Sequence, residues 1–408
     1  MSRQTEPAKL APTPSLTKTS GICAVLVAAT VAACRLASAE NQAELAITHG
    51  PFLQAPSETG ITVSWATSLK CVSWVEYRPE LSPHWLTNFP AHLGLVDADG
   101  TVHNVALTGL EPGTRYRYRA LSREIREFRP YKVTYGTTVV SPEHGFTTFN
   151  AGKASTSFVV VNDRHEKVEL LASSLASVAW DKVDAVFLNG DMVEAVKDEA
   201  QLYRCVAAPC AGRFASRIPL VYVRGNHDTR GSFARRLLEY FPTESGRYYY
   251  TLRQGPVMFL VLDGGEDKAD GDKEYYGLVD FEPYLRREVE WLAREIEAPA
   301  FRAAPFRVCV MHIPPNSEPN DKFIRPRWLQ EHVVPLLNRG KVDLLICGHT
   351  HRYAIQPAGQ NGLEFPLITG GAEMVLRCDA TAQELRVSAT ELSGKALPQP
   401  PVILRRGR

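Results

Sequence analysis

Residues 220–228 read LVYVRGNHD, in which the apolar run Leu220–Val223 leads into the polar motif Gly225-Asn226-His227-Asp228. Four further apolar runs lead into polar motifs in the same way. They are Phe158–Val161 before Asp163-Arg164-His165, Ala185–Leu188 before Gly190-Asp191, Val308–Met311 before His312, and Leu344–Cys347 before Gly348-His349-Thr350-His351. Short continuous apolar runs are typical of buried parallel strands. The sequence therefore predicts an open parallel sheet with a polar motif at the end of each of these strands.

Polar groups at the carboxyl ends of parallel strands meet in one crevice. Two carboxylates, one amide and four imidazoles would meet in this one: Asp163, Asp191, Asn226, His165, His312, His349 and His351. One zinc ion takes about four ligands, so the set is large enough for two ions if a carboxylate bridges them. Two ions about 3.5–4 Å apart can clamp the oxygens of an in-line phosphoryl displacement. The sequence thus predicts a two-metal centre whose net positive charge attracts phosphate.

The five motifs, in this order, resemble the pattern of the calcineurin-like metallophosphoesterase superfamily, and the match runs from about Phe158 to Gly371. The resemblance implies a four-layer α/β/β/α sandwich that hydrolyses phosphate esters by attack of a metal-bridging hydroxide. It also implies the division of the ligands: Asp163, His165 and His351 on the first ion, Asn226, His312 and His349 on the second, and Asp191 between them.

The same resemblance implies roles for residues beside the ligands. His227 would lie next to the substrate, where it stabilises phosphate charge or protonates the leaving oxygen, and Asp228 would hold its other ring nitrogen. The alternative for Asp228 is a helix cap. Arg164 and Arg230 are candidates for contacts with the substrate phosphate, and the alternative for each is a surface ion pair.

A β domain in front of such a catalytic domain resembles the architecture of purple acid phosphatases. In that family a tyrosine three residues after the bridging aspartate ligates ferric iron, whereas this chain has Glu194 at that position. The departure weakens the case for ferric iron and favours two divalent ions, with Mn, Fe, Zn and Co all open. Glu194 is then expected to act from outside the ligand set.

Residues 45–149 are predicted to form this all-β domain, because short alternating strands are separated by clusters of turn residues. Gly109–Tyr116 is similar to a turn and strand of fibronectin type III domains, so we expect a sandwich of that kind. Its aromatic residues are interpreted as core, with a carbohydrate-binding surface as the alternative. The catalytic domain is expected at residues 155–394, followed by a flexible tail at 395–408.

Other patterns predict individual elements. Glu282–Ile296 has the spacing of a helix, and Trp328–Leu337 that of a helix kinked or ended at Pro335. The acidic segment, Gly264–Phe281, carries six acids and is interpreted as a solvated surface loop, with a Ca²⁺ site as the alternative. A local disulfide is plausible between Cys205 and Cys210, which lie in a loop-like stretch.

The first 39 residues are predicted to be an export signal. Basic residues precede the 14-residue apolar run Gly21–Cys34, and Ala37-Ser38-Ala39 is a suitable cleavage site that leaves Glu40 first. Cys34 also ends a lipobox-like stretch, so a lipid anchor there is the alternative. The sequence predicts no transmembrane helix in the mature chain, which we expect to be periplasmic, secreted or lipid-anchored at the cell surface.

Composition is that of an ordinary soluble protein, with 44% hydrophobic and 22% charged residues and a net charge of +1. It gives no reason to expect nucleic acid as a partner. The leading hypothesis is therefore an exported metal-dependent hydrolase of small phosphate monoesters. The alternatives are a phosphodiesterase acting on nucleotides or glycerophosphodiesters and, from another class, an inactive cell-surface binding protein.

Overall fold

The computed structural model describes residues 44–316, 323–393, 397 and 400–406. The predicted export segment with Cys34 lies outside these residues. No helix in the described part of the chain is long and apolar enough to cross a membrane.

The N-terminal part of the described chain forms β-strands. They are β1 (Ile47–Gln54), β2 (Gly60–Pro79), β3 (Leu86–Asn88), β4 (Ala91–His92), β5 (Leu95–Val96), β6 (Gly100–Thr108), β7 (Arg115–Arg129), β8 (Lys132–Val140) and β9 (His144–Thr147). Their apolar side chains enclose a core in which Trp65 and Tyr118 have no exposed surface. The interpretation of the aromatic residues as core is confirmed for Trp65, Tyr116 and Tyr118, whereas Trp74 is half-buried outside this core. The likeness to fibronectin type III domains remains a prediction.

The rest of the chain alternates strands and helices. The strands are β10 (Ser155–Val161), β11 (Ala185–Asn189), β12 (Leu220–Val223), β13 (Tyr250–Gln254), β14 (Val257–Leu262), β15 (Phe306–Met311), β16 (Leu344–Cys347), β17 (Ala354–Gln356), β18 (Leu367–Thr369), β19 (Met374–Thr381), β20 (Glu384–Glu391) and β21 (Val402–Arg405). All five predicted strands form, as β10, β11, β12, β15 and β16.

The α-helices are α1 (Val168–Ala176), α2 (Glu199–Leu202), α3 (Ala208–Cys210), α4 (Leu237–Tyr240), α5 (Phe281–Glu295), α6 (Pro299–Arg302), α7 (Arg325–His332) and α8 (Val334–Arg339). Two π-helical segments, Tyr203–Ala207 and Ala211–Ala215, connect with α2 and α3, and 3-10 turns cover His227–Thr229, Ser232–Arg236 and Lys273–Tyr275. The long predicted helix is confirmed as α5. The predicted break near Pro335 is confirmed between α7 and α8.

The five strands that carry the motifs are divided between two sheets. The first has the order β21-β20-β19-β10-β11-β12-β1-β2-β7-β8, and β10, β11 and β12 are parallel within it. The second has the order β13-β14-β15-β16-β18-β17, and β14, β15, β16 and β18 are parallel within it. The prediction of one parallel sheet is wrong. A strand that is buried on both faces has a continuous apolar sequence whichever sheet it belongs to, so the sequence pattern could not assign these strands to two sheets.

The two sheets pack face to face. Phe158 and Phe187 of the first sheet lie with ring centroids 4.7 and 5.0 Å from that of Phe259 in the second. Helix α1 covers the outer face of the first sheet through Leu171 and Leu175, and α5 covers that of the second. Burying each of these side chains stabilises the fold by about 1.5–3 kcal/mol relative to exposure. The four-layer α/β/β/α arrangement implied by the resemblance is confirmed.

The first sheet extends into the N-terminal β domain. Strand β1 pairs antiparallel with β2 and parallel with β12, where Gln54 lies opposite Leu220. Residues Leu45–Arg408 form one compact unit. The scaffold of the catalytic strands therefore includes the β domain.

Two local predictions are wrong. Residues Val402–Arg405 of the predicted flexible tail form β21, which pairs antiparallel with β20 because a short β-branched run can add to that open edge. Cys205 and Cys210 are buried free thiols in a helical stretch instead of a disulfide in a loop. The chain is helical without interruption from Glu199 to Ala215, so neither cysteine lies in the loop that the prediction assumed.

Candidate metal centre

The five motifs meet because the ends of the facing strands meet. Asp163, Asp191 and Asn226 follow β10, β11 and β12 of the first sheet, while His312 and His349 follow β15 and β16 of the second. The site thus lies between the two sheets at the carboxyl ends of their parallel strands, where ligands bind in open α/β sheets.

Several of the predicted ligands share an unusual backbone conformation. Asp163, His165, Asp191, His349 and His351 have φ angles of 56°, 44°, 53°, 72° and 59°. A non-glycine residue in this left-handed region costs about 1–2 kcal/mol. Such conformations cluster at functional sites, where the surrounding structure holds them.

Glycines allow the motif loops to approach one another closely. A β-carbon at Gly190 would collide with the ring of His312, and one at Gly225 would collide with the carboxylate of Asp191. Only a residue without a side chain fits at these two positions. The Gly-Asp and Gly-Asn pairs of the motifs therefore serve the packing of the site.

Asp163, His165 and His351 form the first group of metal-ligand side chains, with their ligand atoms within 4.8 Å of one another. Nε2 of His165 lies 3.0 Å from Nε2 of His351, and Oδ1 of Asp163 lies 3.4 Å from the latter nitrogen. Asp163 is fixed from behind by the Asn162 amide and by the backbone N–H of His349. These are the three residues predicted for the first ion.

Asp191, His312 and His349 form the second group, again within 4.8 Å. The ring of His312 is held through Nδ1, which donates to the carbonyl of Asn189 over 2.7 Å. Its Nε2 lies 3.0 Å from Oδ2 of Asp191, is fully buried and makes no hydrogen bond. Asn226 adjoins this group, with Oδ1 3.0 Å from Nδ1 of His349.

Asp191 also belongs to a third group, with His165 and His227. Among the described residues it is the one carboxylate that belongs to two of these groups, and its Oδ2 lies 3.9 Å from Nε2 of His165 and 3.0 Å from Nε2 of His312. Its position therefore fits a bridging ligand.

Electrostatics in this cluster favour bound cations. Burial opposes ionisation of Asp191, but His312 and His227 outweigh it and lower its pKa. Burial lowers the pKa of His312, but Asp191 and Asp163 outweigh it and raise that pKa to about 10. Burial and the neighbouring His312 lower the pKa of His349 to about 3. The buried carboxylates of Asp163 and Asp191 thus stabilise positive charge in the site. The imidazole of His349 beside them is neutral, which is the form of histidine that binds metal ions.

The donor set fits divalent metal ions. Bonds of about 2.0–2.2 Å to nitrogen and oxygen place the ligands of one ion about 3–4 Å apart. Within the group of Asp163, His165 and His351, the distances of 3.0, 3.4 and 3.9 Å lie in that range. Nε2 of His312, beside Asp191, is the ring nitrogen that can bind a metal ion, because Nδ1 donates to the carbonyl of Asn189.

His227 lies beside the cluster as predicted, but its supporting contacts differ from the prediction. Its Nδ1 lies 2.9 Å from the carbonyl oxygen of Glu194 and 3.3 Å from the Glu194 carboxylate. Glu194 also places Oε2 2.9 Å from Nδ1 of His165. Glu194 therefore orients two of the histidines from outside the ligand set.

Asp228 does not contact the ring of His227, so the prediction that it holds this histidine is wrong. Its fully buried carboxylate accepts the backbone N–H groups of Asp191 and Gly225 over 2.9 and 2.8 Å. Asp228 sits within the 3-10 turn, where the carboxylate turns inward under the motif loops. It holds together the two loops that carry Asp191 and Asn226.

Arg164 does not face the site, so the prediction that it contacts substrate is wrong. Its buried guanidinium donates to the carbonyl oxygens of Asn162, Ala372 and Met374. The left-handed residues on both sides direct Asp163 and His165 into the site and Arg164 away from it. Arg230, by contrast, lies beside the site, with Nη1 2.9 Å from Nε2 of His227.

The acidic segment, Gly264–Phe281, is not simply a solvated loop. Glu266 and Asp267 are 1% and 5% exposed, and Glu266 pairs with Arg230. Sequence reasoning missed Glu266, and it also missed Asn162 and the carbonyl of Asn189. The only signal for Glu266 was its place in a run of acids, which is more often a solvated surface.

Comparison with known proteins agrees with this geometry. Residues 156–353 match the calcineurin-like phosphoesterase family, and residues 50–148 match the purple acid phosphatase N-terminal domain. The chain thus consists of a calcineurin-like phosphoesterase domain preceded by a purple acid phosphatase N-terminal domain.

Curated relatives of this chain include two phosphatases. Purple acid phosphatase 15 of Arabidopsis thaliana is 23% identical over 288 residues, which are 62% of this chain and 49% of the relative. Serine/threonine-protein phosphatase CPPED1 of Danio rerio is 27% identical over 142 residues, which are 34% of this chain and 43% of the relative. The chain thus spans about half the length of the curated relatives it matches.

A solved structure shares the fold. Purple acid phosphatase PPD1 from yellow lupin (Lupinus luteus) seeds superposes with a TM-score of 0.63 at 16% identity, covering 87% of this chain and 74% of the lupin chain. The likeness extends over both the β domain and the α/β/β/α part.

Proposed function

We propose that this phosphoesterase is an exported enzyme that uses two divalent metal ions to hydrolyse phosphate monoesters. The observation that carries the proposal is the place of Asp191, which shares one cluster with His165 and another with His312 and His349. Asp163, His165 and His351 would hold one ion, and Asn226, His312 and His349 the other. Bound ions of this kind polarise phosphate oxygens and lower the pKa of water.

The side chains of this chain supply the remaining functions. Asp228 accepts the backbone N–H of Asp191 and so holds its loop, and the backbone N–H of His227 donates to Oδ1 of Asp191 over 2.8 Å, which orients the shared carboxylate. His227, at 4.0 Å from Oδ2 of Asp191, can donate a hydrogen bond to a phosphate oxygen or a proton to the leaving oxygen. Arg230 places positive charge next to His227.

The hydrogen-bond donors of Arg230 and His227 favour monoesters, while the charge of Arg230 itself is balanced by Glu266. A phosphate monoester carries more negative charge than a diester, and Arg230 with His227 offers donors beyond those of the metal centre. The names of the relatives, purple acid phosphatase and serine/threonine-protein phosphatase, agree with monoester substrates.

Side-by-side assays with a nitrophenyl phosphate monoester and a bis(nitrophenyl) phosphate diester test this preference in the presence of Mn²⁺. We expect kcat/KM for the monoester to exceed that for the diester by about tenfold or more, a difference of about 1.4 kcal/mol in transition-state stabilisation. The reverse ratio would assign a phosphodiesterase. Loss of both activities in a metal-loaded protein would leave the binding-protein hypothesis.

The export part of the proposal rests on residues 1–39. Expression of the full chain in a bacterial host, followed by mass spectrometry of the envelope fraction, should show a chain that begins at Glu40. A lipid-modified chain beginning at Cys34 would establish the anchored alternative. A full-length chain in the cytoplasm, in a host that exports a control protein, would contradict both.

A further inference from the structure

The carboxylate of Glu266 is buried beside the metal centre, and each of its oxygens accepts hydrogen bonds. Arg230 donates to it twice, from Nε over 2.8 Å and from Nη2 over 3.1 Å. The hydroxyls of Thr229 and Tyr275 each lie 3.0 Å from one of the same oxygens. With 1% of its surface exposed, Glu266 is a fully partnered buried anion.

The main chain of Glu266 is fixed as well. Arg325, the first residue of α7, donates from Nε to the carbonyl of Glu266 over 2.8 Å and from its backbone N–H to the carbonyl of Asp267 over 3.2 Å. Arg325 has no exposed surface. The position of the carboxylate is therefore set by a helix outside the five motifs.

This arrangement determines which edge of Arg230 is free. The bidentate ion pair with Glu266 uses Nε and Nη2 of Arg230, and such pairs fix the plane of the guanidinium. The remaining nitrogen, Nη1, lies 2.9 Å from Nε2 of His227. Nη1 therefore contacts the imidazole of His227 and not the carboxylate of Glu266, and the Arg230 side chain as a whole keeps 30% of its surface exposed.

We propose that Glu266 is a positioning residue that holds Arg230 so that Nη1 and His227 together bind the oxygens of the phosphoryl group. The inference rests on the proposed function and adds the source of phosphate affinity outside the metal ligands. A surface arginine without such a partner would lose side-chain freedom on binding, whereas Arg230 is already oriented.

Inorganic phosphate is the probe for the test, because it needs no knowledge of the natural substrate. Its inhibition constant and its thermal stabilisation of the protein are measured with the full chain loaded with Mn²⁺. The variants are Glu266→Gln, Arg230→Gln and the double variant. Glu274→Gln is the matched control, since Glu274 lies in the same segment, forms a surface ion pair with Lys268 and has 59% of its side chain exposed.

We expect Glu266→Gln and Arg230→Gln each to raise the phosphate inhibition constant and KM by about tenfold or more, as loss of a hydrogen bond to a charged group does. The double variant should be no worse than either single variant, because both act through one guanidinium. Glu274→Gln should stay within about twofold of the wild type.

A folded Glu266→Gln protein with the phosphate affinity of the wild type would overturn the inference, as would fully additive effects in the double variant. If Glu266→Gln does not fold, Glu266→Asp carries the same test, because it keeps the charge but draws Arg230 away from His227. A wild-type protein that neither binds phosphate nor hydrolyses its esters would overturn the proposed function together with this inference. Unchanged affinity in the variant of an active enzyme overturns the inference alone.

Discussion

Dialysis against a strong chelator should lower the phosphoesterase activity of the purified protein by about a hundredfold or more, and added Mn²⁺ should restore it. The expected cause is loss of the cations that the clustered carboxylates and imidazoles hold. Asp163 and Asp191 are 0% and 1% exposed, so water cannot replace the bound cations in stabilising their charge. Metal analysis of the active protein should find about two ions per chain.

The same treatment should lower the thermal stability. A ligand present at 100 times its dissociation constant stabilises the folded state by about 2.7 kcal/mol per site. Calorimetry with and without chelator measures this shift. Full activity in a protein shown to contain less than about a tenth of an ion per chain would contradict the two-metal mechanism.

The second large effect is expected for Asp191→Asn. This change keeps the shape of the side chain but removes the negative charge that both predicted ion sites share. We expect the metal content to fall from about two ions to one or none, and kcat to fall by about a thousandfold or more. Metal analysis and steady-state kinetics on the same sample measure the two effects together.

The matched control is Asp181→Asn, which makes the same chemical change at an exposed position just before β11. It should retain the metal content and activity of the wild type. Circular dichroism should show that Asp191→Asn remains folded. If the folded variant kept both ions and its activity, Asp191 could not be the shared ligand.

The local pattern was enough to predict the strands and the ligand candidates. Each motif-bearing strand is buried on both faces, so an uninterrupted apolar run marks it whatever its partner is. Asp163 and His165 follow one such strand and His351, 186 positions after His165, follows another, yet all three are close in space. The residues that follow buried strands can thus be predicted as site residues without knowledge of the sheet topology.

The directions of side chains next to the ligands could not be read in the same way. Arg164 stands between two site residues, yet its guanidinium reaches the carbonyls of Ala372 and Met374, more than 200 positions along the chain. Asp228 adjoins His227 but binds the backbone of another loop. Both outcomes depend on backbone turns and long-range neighbours that sequence spacing does not encode.

The sequence alone determined that five buried strands end in metal-binding chemistry, because apolar runs and polar motifs are local properties of the chain. Only the tertiary structure decided that these strands belong to two facing sheets, that Glu194 and Asp228 support the site, and that Glu266 holds Arg230. Strand partners and buried hydrogen bonds are chosen by competition among distant segments. These contacts form, and stabilise the protein, only when the layers pack together.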